Sequence, residues 1–207
     1  MNVQPIISEL RRLYPDAECT LEIGKDYELL ISVRLAAQCT DARVNIVAKT
    51  LFEDYPTLES FAEAETAALE AAIRPCGFYH TKARDIKLSA QIILKSHGGR
   101  VPGTMEELLA LPGVGRKSAN LLLGELYGKP AVVADTHCIR LSKRLGLTGT
   151  DDPYKVELRL RELIPPAEQL FFCHRLVHHG RAVCTARSPR CSECTLTKWC
   201  VRHGDVR

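Results

Sequence analysis

Apolar residues recur every three or four positions along almost the whole chain, and this period constrains the fold more than any other feature. Ile6, Leu10 and Leu13 mark a first helix that Tyr14-Pro15 ends. Leu29, Leu30, Val33, Leu35 and Ala36 form a second, very apolar one. Asp41 is placed to cap a third, which carries Val44, Ile46, Val47 and Leu51 as far as Tyr55-Pro56. Short helices are expected at about 58–63 and 66–73. A long amphipathic helix should run from Tyr79 to Ser96, burying Ile86, Leu88, Ile92 and Ile93, with Gly98-Gly99 ending it. Further helices are expected at 104–109, 116–127, 136–145, 153–163 and 167–177. Two-residue alternation is scarce, and only 131–134 reads as extended. The expected fold class is all-α.

Composition excludes several classes. Hydrophobic residues are 45% and charged residues 26% of 207, an ordinary globular balance. No segment approaches the ~18 uncharged apolar residues of a membrane span. The first sixteen residues mix acids and bases on an amphipathic pattern, unlike a secretory leader. Nine cysteines without an export signal point to a reducing cytosol rather than a disulfide framework. Five of them (Cys19, Cys39, Cys76, Cys138 and Cys173) are scattered and read as small buried hydrophobes. Net charge is only +3, yet Arg181, Arg187, Arg190, Lys198, Arg202 and Arg207 crowd the last 27 residues. That clustering fits an anionic partner engaged on one face.

Within this basic tail lie Cys184, Cys191, Cys194 and Cys200, spaced C-x6-C-x2-C-x5-C. Four thiols within 17 residues suggest a metal centre. Zinc usually takes two short C-x2-4-C hooks, of which only Cys191-x2-Cys194 is present, and common ferredoxin spacings differ too. Upstream, Leu111-Pro112-Gly113-Val114-Gly115 separates two helical segments. Its glycines permit positive φ, and its amides, with those opening the next helix, form a concave site for a phosphate. Arg116 and Lys117 follow at the helix start, where the macrodipole disfavours a cation by roughly 0.3–1 kcal/mol. Such a site disfavours a structural lysine and favours a nucleophilic one, although a surface phosphate clamp is the plain alternative. Only about one lysine in 10³ is neutral near pH 7, so a reactive amine needs further desolvation. Asp135 ends the apolar stretch Val133-Ala134 and precedes a helix. By pattern it is an N-cap, a role compatible with catalysis because a cap is rigidly aimed.

Together, Leu111–Lys117, Asp135-Thr136-His137 and the terminal cysteines resemble bacterial endonuclease III, as do Ala37-Gln38-Cys39-Thr40-Asp41 and Gly77-Phe78-Tyr79. That family comprises bifunctional DNA glycosylase/AP lyases with a helix–hairpin–helix and a [4Fe–4S] cluster. The resemblance covers almost the whole chain. It implies a two-lobed all-α fold: a six-helix domain with the hairpin at residues 20–130, and a discontinuous cluster domain at 1–19 and 131–207. It also implies excision of oxidised pyrimidines from duplex DNA, with Lys117 forming a Schiff base, Asp135 as catalytic carboxylate, and β-elimination nicking the strand. Gln38 corresponds to the residue that fills the hole left by an extruded base, and Phe78 to an apolar wedge. Gly113, Gly115, Arg116, His137, Arg187 and Arg190 are the expected contacts to the DNA backbone. Cys184, Cys191, Cys194 and Cys200 are the expected cluster ligands. The implied protein is a monomer, cytoplasmic and nucleoid-associated, acting on double-stranded DNA with damaged pyrimidines or abasic sites and on no membrane. Cys39, Cys173, Arg175 and Ala134 depart from the family's usual residues.

Overall fold

The computed structural model describes residues 2–204; Met1 and residues 205–207, including Arg207 of the basic tail, lie outside the described residues. Regular structure among the described residues is entirely helical. No helix there is long and apolar enough to cross a membrane. The chain divides into two compact units, Cys19–Tyr127 and the discontinuous pair Met1–Glu18 with Gly128–Arg207. These divisions fall slightly earlier than the sequence suggested. Pro130 belongs with the second unit, where its carbonyl accepts from Arg161.

The Cys19–Tyr127 unit holds α2 (Asp26–Leu35), α3 (Asp41–Asp54), α4 (Leu58–Glu63), α5 (Thr66–Ile73), α6 (Tyr79–Ser96), α7 (Met105–Leu109) and α8 (Arg116–Tyr127). Helix α6 is its axis, packed by α2, α4 and α5, while α8 packs on α2 and α7. Leu29, Leu35, Leu51, Phe61, Leu69, Ile73, Ile86 and Ile93 are fully buried. The sequence period overstated two positions, since Ile46 is 68% and Leu88 is 41% exposed. Each lies two residues from a buried position, Val44 and Ile86, which is about 200° around a helix and so on the opposite face. The expected Asp41 cap is also corrected. Thr40 is the N-cap of α3, its Oγ1 accepting from Arg43 N, and Asp41 is the first helical residue.

The discontinuous unit holds α1 (Gln4–Leu13), α9 (Thr136–Arg144), α10 (Pro153–Leu163), α11 (Gln169–Ala182) and the short α12 (Val201–Gly204). Helix α11 packs against both α1 and α9. Arg175, one of the departures, is buried on α11 and ties α1 down: its Nε donates to Tyr14 O at 3.3 Å, at the C-terminal end of α1. Its guanidinium also pairs with Glu168 at 3.2 Å. Residues 131–134 are buried without regular structure and lead into α9. Cys76, Cys138 and Cys173 are buried as expected of small hydrophobes, whereas Cys19 and Cys39 are only half-buried.

Candidate functional site

The hairpin joins α7 to α8 through 110–115 and rests on a buried ion pair. Arg34 of α2 donates to Asp85 Oδ2 of α6 from Nε at 3.0 Å and Nη2 at 2.8 Å; Arg84 pairs with the other oxygen at 3.0 Å. Gly113 lies on this pair with φ 73°, and an added Cβ would come within 2.3 Å of Arg34 Nε and 2.7 Å of Asp85 Oδ2. Only glycine satisfies both the left-handed backbone and that approach. Ser89 Oγ donates to Pro112 O at 3.3 Å, and Val114 N to Leu111 O at 3.2 Å. Of the two glycines that permit positive φ, only Gly113 uses it. Gly115 is not left-handed, and a Cβ there would meet nothing within 4 Å. Its open surroundings leave its backbone accessible at the start of α8. Arg116 is half-buried and Lys117 exposed in the first turn, where helix amides lack intrahelical acceptors. Lys117 carries no hydrogen bond or ion pair among the described residues.

Gln38 and Phe78 share a property that no sequence pattern revealed. They are the only non-glycine residues with positive φ among the described residues, at 56° and 49°. Left-handed backbone costs an ordinary L-residue roughly 1–2 kcal/mol. Both side chains face solvent, Phe78 being 63% exposed, so burial does not offset the strain. Gln38 sits in the turn between α2 and α3, and Phe78 is the N-cap of α6. Backbone strain of this kind clusters at functional sites, which makes both turns candidates for one.

In the other unit Asp135 is the N-cap of α9. Its Oδ1 accepts from Cys138 N at 2.7 Å, which leaves its second oxygen outside the cap. The approach to it is held by buried Val133, whose N donates to Cys173 Sγ at 3.3 Å, giving that departure a packing role. His137 is half-buried, its Nδ1 3.1 Å from Arg140 Nη2. Gly180 of α11 lies against both: a Cβ there would meet His137 Nδ1 at 2.4 Å, so glycine lets the two helices close up.

All four tail cysteines line one cavity of about 290 Å³, with Arg144, Pro189, Arg190 and Arg202 among its walls. Among the described residues no three His, Cys, Asp or Glu side chains converge on a single ion position. Four cysteine thiols lining one cavity are a donor set that an iron–sulfur cluster takes. Burial, then the neighbouring Cys184, Cys200 and Cys191, push the Cys194 thiol up, so stable thiolates there need positive charge nearby. Two arginines outside the tail meet that need, and the sequence reading missed them. Arg144 Nη1 donates to Cys184 Sγ at 3.1 Å and to Thr185 O at 2.9 Å. Arg140, one turn earlier on α9, donates to Cys184 O at 3.0 Å. His179 Nε2 lies 3.4 Å from Cys194 Sγ, with Nδ1 3.0 Å from the Tyr14 hydroxyl. The four-residue spacing of Arg140 and Arg144 was the available signal. Arg187 is exposed, whereas Arg190 is tied to Ala182 O and, at 3.3 Å, to Glu193.

A family model for the HhH-GPD superfamily of base excision DNA repair proteins matches residues 31–166. Fold and hairpin thus define a helix–hairpin–helix base-excision repair protein. A second model, the iron–sulfur binding domain of endonuclease III, matches residues 184–200, from the first tail cysteine to the last. The endonuclease III of Synechocystis sp. is 44% identical over 196 residues, spanning 94% of this chain and 90% of its own. That of Bacillus subtilis is 41% identical over 202 residues, spanning 97% and 92%. A solved endonuclease III trapped as a covalent intermediate with DNA matches with TM-score 0.93 at 40% identity, over 99% of this chain and 96% of that one. The chain belongs to the endonuclease III family. It is a DNA-binding DNA glycosylase and AP lyase, and it carries a [4Fe–4S] cluster.

Proposed function

We propose that the protein excises oxidised pyrimidines from duplex DNA with Lys117 as nucleophile and Asp135 as its carboxylate partner in catalysis. The observation that supports this most directly is the position of Lys117: exposed and unpaired in the first turn of α8, immediately after a hairpin with accessible amides. A neutral Lys117 Nζ attacks C1′ of the damaged nucleoside as the N-glycosidic bond breaks, and its electron pair leaves with the base, which takes up a proton. Opening of the sugar gives a protonated Schiff base. Removal of a C2′ proton then expels the 3′ phosphate, and water releases Lys117 from the product. In this mechanism the Asp135 oxygen outside the cap stabilises positive charge developing on the sugar, while Cys138 N holds its partner oxygen still. A preformed carboxylate of this kind needs no reorganisation as the bond breaks.

Gly113, Gly115 and Arg116 hold phosphate in this reading, with His137, Arg187 and Arg190 as further backbone contacts. Phe78 and Gln38 enter the base stack, which lowers the cost of extruding the lesion. Cys184, Cys191, Cys194 and Cys200 would hold the cluster, which when bound offsets part of their thiolate charge and ties the loop that carries Arg187 and Arg190. The unit Cys19–Tyr127 serves as the hairpin domain and the discontinuous unit as the cluster domain. The working form is a monomer in the cytoplasm, associated with the nucleoid. Borohydride reduction during reaction with a thymine-glycol duplex should leave a covalent protein–DNA adduct, and Lys117→Ala should abolish it. An undiminished adduct in that variant would remove Lys117 from the nucleophile's role.

A further inference from the structure

Lys82, one turn into α6, is fully buried, has no carboxylate partner, and is used by nothing in the mechanism above. Its Nζ donates to Leu35 O at 2.8 Å and to Cys76 O at 2.9 Å. Leu35 is the last residue of α2, three before Gln38; Cys76 closes the short 3-10 turn of Arg74–Cys76, two before Phe78. The backbone amide of Lys82 also donates to Phe78 O at 3.0 Å. One residue therefore holds both segments that enter left-handed backbone at Gln38 and Phe78. The Cys39 and Cys76 side chains meet across the same junction, and burial, then Cys39, pushes the Cys76 thiol up to about 11.

A buried cation satisfied only by carbonyls is an expensive way to join two loops, since a packed apolar side chain fills the same volume without desolvation. What the ammonium adds is direction. Two charge-assisted hydrogen bonds to the ends of two elements fix the spacing of those ends. The carbonyls are those left without intrahelical donors at C-termini, so no regular structure is broken to engage them.

We propose that Lys82 is a positioning residue for base extrusion: it clamps the Gln38 and Phe78 turns at a fixed separation, so that both side chains enter the DNA stack together. This rests on the reading of Gln38 and Phe78 given above. Lys82→Met, which keeps the aliphatic volume and removes both hydrogen bonds, should lower single-turnover excision from a thymine-glycol duplex by roughly ten- to a hundredfold. Strand cleavage at a preformed abasic site, where no base is extruded, should stay within about twofold of the unmodified enzyme. A 2-aminopurine placed beside the lesion should lose the fluorescence rise that reports unstacking. In a Gln38→Ala/Phe78→Ala background, Lys82→Met should cause no further loss of excision, because the residue acts through those two.

Equal losses of excision and abasic-site cleavage, or a full additional loss in the double-alanine background, would overturn the proposal. Lys82→Gln, which keeps one amide donor to one carbonyl, carries the same comparison if Lys82→Met does not fold. If Gln38→Ala and Phe78→Ala themselves leave excision unchanged, the underlying reading fails instead, and the two failures are told apart.

Discussion

Asp135 has two oxygens, and the structure commits only one of them to the helix it caps. This separates stability from chemistry at a single side chain. Asp135→Asn keeps an oxygen for Cys138 N and should hold stability within about 0.5 kcal/mol, whereas Asp135→Ala should cost about 1 kcal/mol as a lost N-cap. Both should lose excision alike if the free oxygen works as an anion. Urea denaturation alongside single-turnover kinetics checks this, and an Asn variant that retains full activity would confine Asp135 to capping. The sequence showed such residues only where chemistry and position coincide. Lys117 and the four cysteines stood out by type and spacing, but Lys82 did not, because a lysine on an amphipathic helix reads as solvent-facing. Nor did Gln38 and Phe78 betray their φ, since left-handed backbone at a non-glycine residue is imposed by tertiary contacts.

Among the elements, α6 and α8 were legible to the residue, because their apolar period is bounded by glycine or a turn at each end. Helix α11 was not. It begins later than expected, because Pro166–Glu168 forms a separate 3-10 turn. It also continues through His178-His179-Gly180, a run that resembles a stop. His179 is buried against the cysteine loop, and Gly180 admits His137, so packing overrides the local signal. The hairpin was recognisable as a turn, but its two glycines proved unequal. Gly113→Ala combines a left-handed backbone with displacement of the Arg34–Asp85 pair, and breaking a buried pair costs about 3–5 kcal/mol. Gly115→Ala meets open space and should change stability by no more than about 1 kcal/mol. Its added methyl should instead obstruct a phosphate. Thermal melting should show the first variant unstable, and fluorescence anisotropy should show the second stable but weakened for DNA. Equal melting temperatures would refute the inequality.

At the scale of the molecule, the chain's two ends meet in one unit: α1 packs on α11, and α11 delivers Cys184 directly, since Cys184 N donates to His179 O at 2.8 Å. The last four cysteines sit in short 3-10 turns and loops, with Leu196 their one buried apolar side chain between Cys184 and Cys200. So small an apolar content cannot order a loop of this length against its conformational entropy, which runs at about 1–2 kcal/mol per residue. A [4Fe–4S] cluster held by the four cysteines would supply the difference, with Arg140 and Arg144 bonded to Cys184 and His179 against Cys194. Stripping the iron with a chelator after oxidation should therefore act locally. Hydrogen exchange should accelerate across 184–200 and at the adjoining ends of α9 and α11, as the visible absorbance of the cluster disappears. Amides of α2 and α6, buried in the Cys19–Tyr127 unit, should keep their protection, because all four thiols belong to the other unit. Uniform loss of protection in both units would make the cluster a condition of the whole fold. Unchanged exchange across 184–200 would mean that the loop orders itself without metal, against the energetic argument made from its composition.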